Sequence, residues 1–105
     1  MKSIRIQHYR GAEQLEMVEI PKPKAGAGQV VVRILATSFN PIDPKRASGV
    51  MRKILPLQFP YTPGGDFSGV VDSVGENVES FAEGDAVFGY SEGGGAYAEY
   101  LAGVY

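Results

Sequence analysis

Residues 29–39 read Gln-Val-Val-Val-Arg-Ile-Leu-Ala-Thr-Ser-Phe, and this stretch decides the fold. Its even-numbered positions from 30 to 36 are all apolar, whereas its odd-numbered positions from 31 to 37 mix apolar, charged and polar residues. Because side chains alternate between the two faces of a strand, we predict a strand with one fully buried face and one partly buried face. At ~25 cal/mol per Å², burial of the apolar face alone contributes several kcal/mol to folding.

The rest of the chain consists of short runs of β-forming residues. The 14 Gly and 7 Pro residues make up a fifth of the 105 residues and are spread between these runs, a distribution typical of strands joined by turns. Further strands are predicted at 4–8, 15–20, 67–74, 86–90 and 96–101, with a turn at 10–13 and one helical turn at 45–48. We therefore predict an all-β fold, mainly β with a short helical turn, arranged as a small, partly open β-barrel in one domain over 1–105.

The composition excludes several classes of function. Lys and Arg total 10 against 12 Asp and Glu, so the formal charge is −2, and the chain lacks the basic field that nucleic-acid or anionic-membrane binding needs. With no Cys and only one His, His8, the chain has neither Cys-based zinc sites nor a cluster of His ligands. No apolar stretch reaches the length of a signal peptide or a membrane span, so we expect a cytoplasmic protein.

Two glycine-rich segments do not match phosphate-binding motifs. Gly26-Ala27-Gly28 precedes the strand at 29–39, whereas the dinucleotide fingerprint follows a strand and opens a helix. Gly93-Gly94-Gly95 is not followed by Lys and Ser or Thr, as a P-loop requires. We find no phosphate-binding element in this chain.

The segment after the long strand has two explanations in terms of helix capping. Asn40 could cap a helical turn with Pro41 at its first position and Asp43 three residues later, as in a short capping box. Alternatively, Asp43 could cap with Pro44 opening the turn and Gly49 closing it. A functional role is compatible with capping, because loops that leave a rigid strand often carry site residues.

Asp66 and the tyrosines have both structural and functional interpretations. Asp66 ends the segment Pro63-Gly64-Gly65-Asp66, where it is either a turn residue or a side chain directed at a ligand. The tyrosines are mostly packing residues, although one phenol could supply a proton: Tyr9, Tyr61, Tyr90, Tyr97 and Tyr100.

Five segments carry a family resemblance when they are taken in order. They are Pro21-x-Pro23 with 28–34, Asn40-Pro41-x-Asp43 with Gly49, the stretch 63–71 (Pro-Gly-Gly-Asp-Phe-Ser-Gly-Val-Val), the glycine-punctuated stretch 74–87, and Gly95-x-Tyr97-Ala98-Glu99-Tyr100. Together they resemble the N-terminal region of medium-chain dehydrogenases/reductases, in particular the zinc-independent quinone oxidoreductase branch.

The resemblance implies a GroES-like catalytic domain, whose partner, a Rossmann domain that binds NADPH, is absent from this chain. In zinc-dependent members a Cys stands at the position of Asn40, and a His-Glu pair stands at Gly65-Asp66. Since those ligands are missing here, the resemblance implies an enzyme without zinc.

The resemblance also implies roles for individual residues. Asn40 and Asp43 would line the cleft that faces the nicotinamide and the substrate, with Asp66 at its base. Asn40 would donate a hydrogen bond to the acceptor and contact the cofactor, Asp66 would contribute to cofactor binding, and Tyr61 would supply the proton. Hydride would pass from NADPH to a quinone or an activated enone.

Because the phosphate site lies in the missing domain, we expect no turnover from this chain alone. Its partners would be a quinone or enone substrate and a complementing Rossmann domain, with no nucleic acid and no membrane. The uncovered surface would leave apolar area or strand edges exposed and favour a homo-oligomer. The alternative function is a non-enzymatic β-barrel interaction module of the co-chaperonin kind, and a zinc-type alcohol dehydrogenase that has lost its ligands is a third hypothesis.

Overall fold

A computed structural model of the protein describes residues 1–9 and 15–103. In this part of the chain the elements are six strands and one short helix: β1 (Lys2–Arg5), β2 (Glu16–Glu19), β3 (Val30–Thr37), α1 (Ile42–Ser48), β4 (Asp66–Val74), β5 (Ala86–Tyr90) and β6 (Tyr100–Gly103). The predicted mainly β fold with one short helical segment is therefore confirmed, although the helix begins at Ile42, three residues before the predicted turn.

The strands form two antiparallel sheets. β1 pairs with β2, and the larger sheet has the order β5-β4-β3-β6, with β3 between β4 and β6. Within the described residues β5 and β6 are the two edges of the larger sheet and do not pair with each other, so the sheets stay open.

The long strand is buried as predicted only in its first half. Val30 and Val32 pack with Phe67 and Leu101 in the main core, and Val31 on the opposite face is fully buried. The first half is thus covered on both faces, which explains why three consecutive valines stand there.

The second half of β3 departs from the prediction. Pairing with β6 ends at Arg33, and the register with β4 shifts between Ile34 and Ala36. Leu35, at this irregularity, is 62% exposed. The alternating pattern identified the strand but could not show where its neighbour on one side ends.

The small sheet is joined to the rest of the chain by two isolated bridges, Ser3 to Ala98 and Ile6 to Tyr61. Ile6 and Tyr61 pack with Ala47 of α1 in a second core. The predicted strand at 4–8 is thus replaced by β1 followed by the single bridge at Ile6, and the turn predicted at 10–13 lies outside the described residues.

Neither predicted side-chain cap forms at the start of α1. The helix begins at Ile42, directly after Pro41, and no side-chain oxygen caps it. Of the predicted capping box only the second half forms, because the Asp43 carboxylate accepts from the Asn40 backbone N–H at 2.9 Å. Gly49 closes the helix with a φ of 87°, as the sequence predicts.

The edge strand β5 carries a large apolar side chain in solvent, because Phe88 is 89% exposed. Such an uncovered edge is suited to contact with further protein surface. None of the helices in the described residues has the length and apolar character needed to cross a bilayer.

Close packing between β3 and β4 generates a stability prediction at Gly69. Gly69 lies opposite Ile34, and a Cβ there would stand 2.1 Å from the Arg33 carbonyl oxygen. We expect Gly69→Ala to lower the free energy of unfolding by about 1–3 kcal/mol, since the backbone must move to admit the methyl group.

The measurement is urea denaturation, with Gly93→Ala as the matched control, because a Cβ at Gly93 meets nothing within 4 Å. The control is expected to change the free energy of unfolding by no more than about 0.5 kcal/mol. Equal stabilities for the two variants would contradict the close strand contact.

Candidate active site

The site lies where β3 ends and β4 begins. Thr37 pairs with Phe67, so the segment after β3 emerges beside Asp66 at the start of β4. The Thr37 hydroxyl donates to the Asp66 carbonyl oxygen at 2.7 Å and fixes this junction. A depression of about 230 Å³, lined by residues from 36–38 and 66–68, opens next to it.

Asn40 and Asp66 are in direct contact. Asn40 Nδ2 donates to Asp66 Oδ2 at 2.9 Å and to Ser38 Oγ at 3.3 Å, and Ser38 Oγ donates to the same Asp66 oxygen at 3.1 Å. An ionised carboxylate only accepts hydrogen bonds, so the amide must present its NH₂ group to Asp66. Asn40 Oδ1 is then the atom that is left for a ligand, and it is an acceptor.

Asp43 supports the same segment from the other side. Its side chain is buried, with 7% exposure, and its Oδ2 accepts from the Asn40 N–H at 2.9 Å and from the Tyr97 hydroxyl at 3.0 Å. A buried carboxylate needs such donors, because it has lost its water. Asp43 therefore holds the backbone of Asn40, while Asp66 holds its side chain.

Tyr97 completes the cluster, and sequence reasoning had grouped it with the packing tyrosines. Its ring lies against Gly64, where a Cβ would stand 2.5 Å from Tyr97 Cδ1, so a bare backbone is needed at that position. Burial, and then the hydrogen bond to Asp43, raise the pKa of Tyr97 from 10.0 to about 12. Only one feature of the sequence hinted that Tyr97 contacts Gly64. Both residues lie in segments that carry the resemblance to medium-chain dehydrogenases/reductases, namely 63–71 and 95–100.

The fourth predicted residue, Tyr61, lies apart from this cluster. It is 7% exposed, packs in the second core, and shares no hydrogen bond with Asn40, Asp43 or Asp66 among the described residues. Burial raises the pKa of the Tyr61 phenol, and the positive charge of Arg46 partly opposes that rise. The structure thus brings together three of the four predicted side chains.

The chemistry available at the cluster is that of oriented hydrogen bonds. In residues 1–9 and 15–103 no three His, Cys, Asp or Glu side chains gather as metal ligands would. The carboxylates of Asp43 and Asp66 are each occupied by donors from the protein, and among the described residues Asn40 Oδ1 accepts no hydrogen bond. The arrangement can receive an N–H or O–H group of a ligand.

The raised pKa of Tyr97 predicts how stability depends on pH. The unfolded chain loses this phenol proton near pH 10, whereas the folded chain keeps it until about pH 12. Between these values the unfolded state binds fewer protons, so the free energy of unfolding falls as the pH rises. Tyr97→Phe removes that contribution and, with the lost hydrogen bond, lowers stability at neutral pH by about 0.5–1.5 kcal/mol.

Urea unfolding at several pH values between 8 and 12 measures both effects. Tyr90→Phe is the matched control, because the Tyr90 hydroxyl makes no hydrogen bond in the described part of the chain. If the free energies of unfolding of Tyr97→Phe and Tyr90→Phe depend on pH in the same way, Tyr97 does not donate the hydrogen bond to Asp43 that we describe.

Comparisons with known proteins agree with this fold. Residues 26–103 match the family described as alcohol dehydrogenase GroES-like domain. A quinone oxidoreductase of Sus scrofa is 43% identical over 103 residues, covering 95% of this chain and 30% of that protein. The chloroplastic quinone-oxidoreductase QR1 of Triphysaria versicolor is 39% identical, covering 95% of this chain and 31% of that protein.

A solved structure is similar over almost all of the chain. The quinone oxidoreductase of Escherichia coli complexed with NADPH superposes with a TM-score of 0.90 and 26% identity, over 99% of this chain and 31% of that one. The chain spans about a third of the length of these relatives. It belongs to the alcohol dehydrogenase GroES-like domain family, and the relatives it matches are named quinone oxidoreductases.

Proposed function

We propose that this chain is the substrate-side domain of an NADPH-dependent oxidoreductase that transfers hydride to a quinone or an activated enone without zinc. The observation that carries the proposal is the contact between Asn40 and Asp66, where β3 ends and β4 begins, in a chain whose relatives are named quinone oxidoreductases. This contact supplies an oriented amide at the position that the family resemblance assigns to the cleft.

The residues present fit one end of the cofactor. Asn40 Oδ1 can accept an N–H of the nicotinamide carboxamide, which is the kind of group that the site receives. When bound, NADPH supplies the hydride. The glycines at 26–28 lead into β3 and open no helix, so we propose that the phosphates are held by a Rossmann domain outside this chain.

The donor set favours a reaction without zinc. A catalytic zinc ion takes three protein ligands, and here the contact is made by one amide and one carboxylate that are hydrogen-bonded to each other. The chain would act by orienting the reactants.

Asn40 is proposed to donate a hydrogen bond to the substrate that accepts the hydride. This role requires its NH₂ group to release Ser38, since both of its hydrogens are used within the cluster.

Tyr61 is proposed as the proton source. Because burial raises its pKa above 10.0, the phenol keeps its proton at neutral pH, as a proton donor must.

A cytoplasmic location stays a prediction, since one relative is named as chloroplastic. Self-association through exposed apolar surface also stays a prediction, which sedimentation would test; Phe88 is consistent with it.

Complementation tests the proposed activity. We expect no NADPH oxidation by the chain alone, and NADPH oxidation with a quinone acceptor once a Rossmann domain from a relative is joined to it. The absorbance of NADPH reports the rate. If the completed enzyme is folded and binds NADPH but reduces neither a quinone nor an enone, the assigned reaction is wrong.

Sedimentation of this chain tests the alternative function. A ring-shaped assembly of several copies would favour the co-chaperonin-like interaction module.

Substitution of Asn40 tests the site itself. Asn40→Asp keeps the size of the side chain but places a second carboxylate 2.9 Å from Asp66, so the amide orientation is lost. In the completed enzyme we expect kcat/KM to fall roughly 100-fold, the effect of removing one oriented catalytic hydrogen bond.

Asn77→Asp is the control for this experiment, because Asn77 is exposed, lies outside the cluster, and has a φ of 67°, which Asp also tolerates. It should leave kcat/KM unchanged. A similar loss in both variants would show that Asn40 acts only through general stability, and no loss in either would exclude it from the reaction.

A further inference from the structure

A cavity outside the cluster of Asn40, Asp43, Asp66 and Tyr97 carries a positive charge that no acidic side chain of residues 1–9 and 15–103 neutralises. It has a volume of about 400 Å³ and lies between α1, the segment 56–62 and the loop 91–95. Its lining includes Arg46, Leu57, Gln58, Pro60, Tyr61 and Thr62. We propose that this cavity binds a small organic carboxylate through the guanidinium group of Arg46.

The guanidinium group of Arg46 makes few hydrogen bonds with the described residues. Nη1 donates to the Glu92 carbonyl oxygen at 2.8 Å, and Nε is buried without a hydrogen-bond partner. Among the described residues no carboxylate lies within ion-pair distance of this guanidinium. A guanidinium carries five N–H donors, so most of its capacity is unused. A partly buried cation without an anion is costly, and an external anion would remove that cost.

The nearby acidic residues do not compete for this charge. Asp43 directs its Oδ2 at the Asn40 N–H and the Tyr97 hydroxyl. Glu92 contributes its backbone carbonyl to Arg46, while its side chain is on an exposed residue. Within the described residues no carboxylate is available to Arg46, so we expect its anion to come from a ligand.

The walls of the cavity define the rest of that ligand. The Tyr61 ring lies 5.5 Å from Arg46 Cζ, and Leu57 and Pro60 add apolar surface, whereas Gln58 offers an amide. A carboxylate suits the planar guanidinium because two parallel N–H···O bonds can form. The apolar walls favour an organic body over a bare inorganic ion. A volume of about 400 Å³ is within the usual range for small-molecule sites.

Benzoate is the probe that tests this proposal, in an NMR titration of the chain, with benzamide and inorganic phosphate as comparison ligands. We expect benzoate to shift the amide signals of Gly93 and Gly95 and the side-chain amide of Gln58, which line the cavity. Benzamide has the same ring without the charge and should bind roughly tenfold more weakly or worse. Phosphate should also bind more weakly than benzoate.

Variants of two adjacent cations separate the site from general charge effects. We expect Arg46→Gln to weaken benzoate binding roughly tenfold or more, and Lys45→Gln, with the same loss of charge on the same helix, to change it less than about twofold. Arg46→Lys keeps the charge without the planar fork and should give an intermediate affinity. If Arg46→Gln does not fold, Arg46→Lys and the benzamide comparison still decide the matter.

Four results would overturn the proposal. They are no binding of benzoate, shifts confined to other surfaces, equal affinity for benzamide, and equal affinity of Arg46→Gln and the parent chain. If phosphate binds as tightly as benzoate, the inference that the cavity selects an organic anion is wrong. The test needs no NADPH and no catalysis, so it stands independently of the proposed reaction.

Discussion

β3 and β4 run antiparallel with Thr37 opposite Phe67, so one strand leaves the sheet at the point where the other enters it. This register decides which side chains meet. The segment that follows β3 carries Asn40, and the first residue of β4 is Asp66, although 26 positions separate the two in the chain. A register slip of one residue would turn the side chains of β4 to the opposite face and separate the pair. Gly69 contributes to the same constraint, because its missing side chain lets the two backbones approach.

A second requirement acts on the short helix. Asp43 is buried, so its carboxylate must find donors, and it finds them on both sides of the turn, in the Asn40 N–H and the Tyr97 hydroxyl. The usual function of an acidic residue in the first helical turn is to stabilise the helix start. Here that residue also links two distant parts of the chain. The local stability of α1 and the position of the Asn40 amide thus depend on the same carboxylate.

Local sequence patterns were sufficient to predict the strands, but they could not predict which residues of other segments would cover each strand or contact it. The alternation over 29–39 predicted β3, but the exposure of Leu35 depends on where β6 stops, and no local pattern contains that information. The proximity of Asn40, Asp43 and Asp66 was expected from the family resemblance and not from periodicity. Tyr97 lies 54 positions from Asp43, and its phenol looked like any packing residue. No sequence pattern singled out Arg46, because the cavity beside it is formed by segments that are distant in the chain.

Tyr97 has two attachments that involve different parts of the residue. Its phenol holds Asp43, while its backbone carbonyl accepts the Ile4 N–H at 2.8 Å and anchors β1. The first strand is therefore connected through Tyr97 to the turn that carries Asn40 and Asp43. Changes that loosen β1 would shift Tyr97 and, through its phenol, the Asp43 carboxylate, so the geometry of the cluster depends on a strand that lies outside it.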